Sequence, residues 1–340
     1  MLRPSCLLAV PLVLLIAPTA SAVVSAELYR TVTHTYGRFE ARIQFARGDG
    51  VISSFFLWKP DSEQSAVYWN ELDFEKLGAT CDLQTNSIYG LPQSNHEGRG
   101  YALAGLCDGY HTYAYEWTPD YIAWFVDGTE LRRDTGADAA SYAENATAGL
   151  QFRFNVWPGD ASFGGNFSEA ILPVYEFVAW AQYSEYTPGT GDDGSAFTLA
   201  WREEFDAPPA DWQAGSWASP LNGSTHSAQN LAFVDGIAVL ALTADDATGY
   251  PEHPPADTAG AAGVPAAGGT GGLGTGGAGA TPFFADSASG DGCGCRVAQD
   301  KPRGSGSVTL LVGGALAWIG RRRVRARGRR PGTREERAPC

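Results

Sequence analysis

Polar and apolar residues alternate through Tyr36-Gly-Arg-Phe-Glu-Ala-Arg-Ile-Gln-Phe45. A period of two puts every second side chain on one face of an extended strand and does not fit a helix. The pattern recurs. Residues 52–58 read as a buried strand. Tyr121-Ile-Ala-Trp-Phe-Val-Asp-Gly-Thr-Glu-Leu131 reads as two strands joined at Asp127-Gly128, and Val234-Asp-Gly-Ile-Ala-Val-Leu-Ala-Leu-Thr243 repeats that device. No long stretch carries a helical period, and glycine or proline punctuates the chain throughout. The expected fold is all-β, two antiparallel sheets packed as a sandwich.

This reading applies to residues 23–250, one domain; the ends of the chain read differently. Residues 1–22 carry Arg3, an apolar run and Ala20-Ser21-Ala22, the parts of a secretory signal peptide. Pro11 and Pro18 interrupt the run, which argues against a membrane anchor. Export to the cell surface or the medium is the expectation. Residues 251–290 are rich in Gly, Ala and Pro and have too few core-forming side chains to offset their ordering entropy, so they read as a linker. Residues 291–340 hold Cys293-Gly294-Cys295, a short apolar run and an arginine cluster. That order resembles the MYXO-CTERM class of bacterial surface-sorting tails and implies sorting machinery as a partner; a plain C-terminal membrane anchor is the alternative. Without the last 20 residues the chain has 15 basic against 36 acidic residues. So acidic a body argues against nucleic acid as a partner. A monomer is expected.

The chemistry gathers in Trp69-Asn-Glu-Leu-Asp-Phe-Glu75. On a strand, Glu71, Asp73 and Glu75 share one face while Leu72 and Phe74 enter the core. Glu71 and Glu75 are ~13 Å apart along the backbone at ~3.3 Å per residue. Long side chains on a curved strand can close that gap toward the ~5–5.5 Å between carboxyl groups that retaining glycosidases use. A solvated strand face or a calcium site remains the alternative for three acids alone.

Ordered neighbours narrow the choice. Tyr36-Gly-Arg-Phe-Glu-Ala-Arg, Ser53-Ser-Phe-Phe-Leu-Trp58, the three acids, Leu77-Gly78, Gln84-Thr-Asn86, His111-Thr-Tyr-Ala-Tyr-Glu-Trp117 and Arg153-Phe-Asn-Val-Trp157 follow one another. The set resembles the family-sixteen glycoside hydrolases, which include lichenases and laminarinases. The resemblance implies a concanavalin-like β-jelly-roll with a cleft on its concave sheet and a retaining mechanism. Trp201-Arg-Glu-Glu-Phe-Asp206 and Asp235-Gly-Ile-Ala-Val-Leu-Ala-Leu-Thr243, normally first in that family, come last here. This is the order of a circular permutant, inexpensive where sandwich termini lie close together.

By position the resemblance makes Glu71 the nucleophile, Asp73 its assistant and Glu75 the acid/base. Phe56, Trp58, Trp69, Trp157 and Trp217 become stacking aromatics, and Glu27, Gln84, Asn86, Arg153 and Asn155 hydrogen-bonders to a β-glucan. Phe163 and Ser216 stand where a permuted relative has a tryptophan and an aspartate. The regular E-x-D-x-E spacing favours mixed-linkage β-1,3-1,4-glucan, since laminarinases usually insert a bulge residue. A β-1,3-glucanase and a non-catalytic surface lectin of the same fold are the alternatives. Trp117, Trp124 and Trp180 read as core. The scattered histidines lack metal-ligand spacing, so no cofactor is expected for catalysis. Glu204 and Gly236 lie where the family often binds a structural calcium. Cys81 and Cys107, alone in the domain, should pair in an oxidising compartment. A hairpin centred near residue 94 would set them opposite one another; two free thiols are the alternative.

Overall fold

Asp-Gly turns between alternating runs should bring adjacent strands back antiparallel. In the computed structural model, which describes residues 23–219, 223–244 and 250–257, they do. Asp127, Gly128, Asp235 and Gly236 all take positive φ (46°, 77°, 52° and 75°), the geometry of tight hairpin turns. Sixteen strands result: β1 (Val23–Arg30), β2 (Gly37–Gln44), β3 (Val51–Trp58), β4 (Trp69–Leu77), β5 (Leu83–Gly90), β6 (Gln93–Tyr101), β7 (His111–Trp117), β8 (Tyr121–Val126), β9 (Thr129–Thr135), β10 (Gln151–Pro158), β11 (Val174–Tyr186), β12 (Phe197–Glu203), β13 (Trp212–Ala214), β14 (Thr225–His226), β15 (Leu231–Val234) and β16 (Ile237–Ala244). Among the described residues one α-helix, α1 (Ala137–Glu144), precedes β10.

The strands run in the order β6-β5-β4-β3-β10-β1 and then β16-β11-β2-β7-β8-β9. β1 is the joint. Its residues 26–29 pair with β10, and its Val23 and Val24 pair with β16. The two halves face one another as the two sheets of a jelly-roll sandwich, so the expected fold class is the observed one.

Between the sheets lies an aromatic core. Phe55 stacks on Phe154 with centroids 5.1 Å apart and meets Tyr115 edge-on at 5.0 Å; Phe74 packs on Tyr115 at 4.8 Å. Truncating a buried ring such as Phe74 to alanine would cost about 3–5 kcal/mol. Trp117 and Trp124 are fully buried there, as expected. Trp180 is not core. It lies half-buried on the outer face of β11, with the Arg202 guanidinium 4.0 Å from its ring. The register of β11 against β2 shifts between Val178 and Trp180, which turns the tryptophan outward.

Cys81 and Cys107 form a disulfide with Cα atoms 5.6 Å apart. The route to it differs from the sequence expectation. β5 and β6 pair Leu83 with Tyr101 and Asn86 with Gly98, so the hairpin turns at Leu91-Pro92 and not near residue 94. The residues read as its polar loop, 93–97, belong to β6. Both cysteines lie beyond the ladder, Cys81 in a turn with φ of 63°.

The segments expected to be a signal peptide and a sorting tail, and the expected linker beyond residue 257, lie outside the described residues. Residues 251–257, read from the sequence as the start of a linker, rest against the strands. Tyr250 packs on Tyr175 and Phe177, and Arg42 donates to both carboxylate oxygens of Asp257 at 3.0 and 2.9 Å.

One end of the sandwich is latched by His34. Its ring stacks on Tyr183 at 3.9 Å, and its Nε2 faces the Arg30 guanidinium at 2.7 Å and accepts from Trp201 Nε1 at 3.2 Å. A nitrogen facing two donors must be unprotonated. Burial, with Arg30 beside it, lowers the imidazole from 6.5 to about 4. The neutral ring therefore contributes stability that is complete above pH 6.5 and is lost as pH falls toward about 4. NMR titration of the folded protein should find His34 neutral at pH 5.5; a midpoint at or above its ordinary value would contradict the latch.

Candidate active site

β4 sorts its side chains by alternation. Leu72 and Phe74 enter the core with no exposure, while Trp69, Glu71, Asp73 and Glu75 point to the opposite, concave face. β4 pairs without a register break to β3 on one side and β5 on the other. Three cross-strand rows follow. Glu27, Asn155, Ser54, Glu75 and Gln84 form one; Tyr29, Arg153, Phe56, Asp73 and Asn86 the second; Gln151, Trp58, Glu71 and Ile88 the third.

All three acids are buried, at 2–3% exposure. Unpaired carboxylates would be costly there, so each is partnered or protonated. Trp69 Nε1 donates to Glu71 Oε2 at 2.8 Å. Asn86 Nδ2 donates to Glu75 Oε2 at 2.6 Å, and Gln84 Nε2 donates to Asn86 Oδ1 at 3.1 Å.

Environment separates the three. Burial raises Glu71 to about 7, and the Trp69 hydrogen bond, the Asp73 hydrogen bond and the Arg153 charge all oppose that rise. Burial, then the charges of Glu71 and Glu75, push Asp73 well above the usual carboxylate range, so it holds a proton and shares it with Glu71. Burial and the Glu71 charge also push Glu75 well up. Glu71 has both the Trp69 N–H and the Arg153 charge to favour its ionised form, whereas Glu75 has the Asn86 amide. A pair of carboxyls in unlike surroundings can supply a nucleophile and an acid.

The walls are aromatic. Phe56, Trp58, Trp69 and Ile88 form one cluster on the concave face, with Trp58 edge-on to Trp69 at 4.9 Å. Trp157 stacks on Phe163 at 6.3 Å at one end. Asn155 keeps a buried Oδ1 without a hydrogen-bond partner, free to accept from a ligand. Glu27 is taken up by the protein itself: Arg153 Nη1 donates to its Oε1 at 2.7 Å, and the Trp217 indole N–H donates to its Oε2. Every candidate on the cleft side therefore comes together on one face. Two neighbours were not foreseen. Gln151 accepts from Arg153 Nη2 at 2.7 Å and aims the guanidinium. Gly98 opposes Asn86, where a Cβ would stand 2.5 Å from Gln84 Nε2 and 2.8 Å from Asn86 Oδ1. A residue with no polar atoms leaves no sequence signal of that kind.

Glu204 and Gly236 also meet. A Cβ on residue 236 would lie 3.6 Å from the Glu204 carbonyl oxygen and 3.3 Å from Asp206 Oδ1. Oxygens of this kind suit calcium. Among the described residues, no three His, Cys, Asp or Glu side chains are grouped to hold a metal.

Residues 14–170 match the family model described as glycosyl hydrolases family 16. A β-glucanase of Fibrobacter succinogenes is 38% identical over 225 residues, covering 64% of this chain and 63% of the relative. A xylanase/β-glucanase of Ruminococcus flavefaciens is 37% identical over 125 residues, covering 36% of this chain and 14% of that protein. This chain thus spans less than two thirds of either. Among solved structures, a Bacillus licheniformis β-glucanase is 25% identical, with a TM-score of 0.39, covering 47% of this chain and 77% of that one. Over residues 14–170 the chain is thus similar to glycosyl hydrolases family 16, and these relatives are β-glucanases.

Proposed function

We propose that the chain is a retaining endo-β-glucanase acting on mixed-linkage β-1,3-1,4-glucan. The observation that carries this reading is the placement of Glu71 and Glu75 on one face of β4, each with its own donor, Trp69 Nε1 and Asn86 Nδ2, inside an aromatic-walled cleft. Glu75 gives its proton to the glycosidic oxygen as the Glu71 carboxylate attacks the anomeric carbon. The bond to the leaving sugar breaks and a glycosyl ester forms on Glu71. Glu75, now a carboxylate, takes a proton from water; the water oxygen attacks the same carbon and releases Glu71. Two inversions give net retention. Asp73 lends its proton to Glu71 as a hydrogen bond whenever that group carries charge. Stacked rings and planar hydrogen-bonders hold the chain, since sugars have apolar faces and hydroxyl edges.

Support for the linkage comes from β4, whose pairing with β3 and β5 runs from Trp69 to Leu77 with no bulge, the geometry expected of lichenases. The β-glucanase relatives support the reaction class. We read the segment order as a circular permutation. β1 and β16, the two ends of the domain, pair directly, and the Fibrobacter relative aligns over 225 residues where a Bacillus subtilis β-glucanase aligns over 155. Export, a linker and a sorting tail complete the proposed organisation, with residues 23–250 as the catalytic domain. Offering the protein barley glucan, lichenan, laminarin and cellulose side by side tests the substrate: preferred release from laminarin would favour the β-1,3-glucanase, and binding without release the lectin.

Glu71→Gln and Glu75→Gln should each lower turnover about a thousandfold or more while leaving the fold intact; Asp73→Asn should cost less, because no bond forms on it. Products followed by NMR should appear first as the β-anomer, and an initial α-anomer would exclude retention.

Trp69→Phe keeps the ring but removes the donor that favours ionised Glu71. The Glu71 pKa should rise above about 7, so the acid limb of the kcat/KM profile should move to higher pH while the alkaline limb, set by Glu75, stays. An unmoved acid limb would deny Glu71 that role.

A further inference from the structure

The concave face ends in a small hairpin whose two arms carry Trp217 and His226. Ala218 bridges Thr225, and the backbone N–H of His226 donates to the Trp217 carbonyl at 2.8 Å. Thr225 and His226 in turn add to β1, opposite Val24 and Ser25. The hairpin is thereby fastened to the strand that joins the two sheets.

The two side chains lie flat on one another. Their ring centroids are 4.0 Å apart and their planes 14° from parallel. His226 is 2% exposed, and neither of its ring nitrogens has a hydrogen-bond partner. A buried imidazole that makes no side-chain hydrogen bond forgoes the interactions that usually offset its burial. What it offers here is its face. Trp217 is held on two sides: its indole N–H is bound to Glu27, and its inner face is covered by the imidazole. It is only partly buried, so part of its ring is open, and its bond to Glu27 sets it at the end of the cleft.

That open part is remote from the chemistry. Glu27 lies opposite Asn155, Asn155 opposite Ser54, and Ser54 opposite Glu75. Three strand spacings separate Glu27, which holds the platform, from the acid, about 14 Å at ~4.8 Å each. A sugar ring on Trp217 is therefore not the ring being cleaved. Energy gained there binds the chain and does not act on the breaking bond.

We propose that His226 is a positioning residue: by backing the inner face of Trp217 it fixes a one-sided stacking platform for a sugar several units from the scissile bond, and so sets the enzyme's preference for long chains. The proposal rests on the functional reading above. It differs from that reading in predicting a defect that depends on substrate length.

The full chain is compared with His226→Ala and His226→Phe. Kinetics are measured on the polymer and on the shortest oligosaccharide it cleaves. Retention of the Glu75→Gln chain, with and without His226→Ala, is measured in gels containing the same polymer. His226→Ala should raise KM for the polymer about three- to tenfold, the range expected for one aromatic stack, with kcat within about twofold. KM for the short substrate should not change. His226→Phe, which keeps a flat face, should restore polymer KM to within about twofold, and His226→Ala should lessen gel retention. Equal KM on the polymer for the alanine variant, or equal losses on short and long substrates, would overturn the proposal. Should the alanine variant fail to fold, His226→Leu replaces it, filling the space without a flat face; equal polymer KM for the leucine and phenylalanine variants would also overturn it. An active parent with an indifferent His226 rejects this inference alone, whereas a parent that neither cleaves nor binds any β-glucan rejects the functional reading and this one together.

Discussion

Three buried carboxyl groups on one strand are the constraint around which the molecule is arranged. Taken from water without partners, they would oppose folding by several kcal/mol each. The fold answers by supplying donors and by withholding ionisation. Trp69 and Asn86 donate to the outer two acids, and Asp73 keeps a proton between them. The same desolvation that threatens stability raises the pKa of all three acids, and unlike partners distinguish Glu71 from Glu75. Stability and chemistry draw on one electrostatic arrangement, and β4 must stay rigid for either to hold. Leu72 and Phe74, locked in the core on the other side of the strand, provide that rigidity.

β1 extends the arrangement across the cleft. It belongs to both sheets, and from it Glu27 binds Arg153 on one side and Trp217 on the other. Arg153 in turn sends its charge toward Glu71. A carboxylate whose two oxygens are both occupied serves the cleft as a brace. The wall near the acids and the wall far from them are thus tied to a single side chain on the strand that joins the sheets.

Much of this was legible in the residues. Strict alternation located β2, β4 and the two Asp-Gly hairpins, and the same alternation put Glu71, Asp73 and Glu75 on one face. The disulfide followed from counting cysteines. Its geometric rationale did not survive. A tight turn at Leu91-Pro92 places the β5–β6 ladder two positions away from the expected centre, and the bridge closes through loops outside it. Trp180 misled for a related reason: one irregularity in the pairing of β11 reverses which face a side chain takes, and composition does not record such a shift.

Local pattern therefore determined the strand class and the shared face of the acids, because a period of two follows from backbone geometry alone, whereas the cleft residues were named by the resemblance of their ordered motifs. Tertiary structure decided everything that needs residues distant in sequence to meet. It set the surroundings of the acids, where burial raises all three and Arg153, some 80 positions away, opposes that rise at Glu71. It turned Glu27 from a free hydrogen-bonder into a brace, and it laid His226 flat beneath Trp217. It also required Gly98 to be bare so that Gln84 and Asn86 could sit beside Glu75. These are consequences of how strands are ordered and registered, and each is an energy of contact between segments that no single segment encodes.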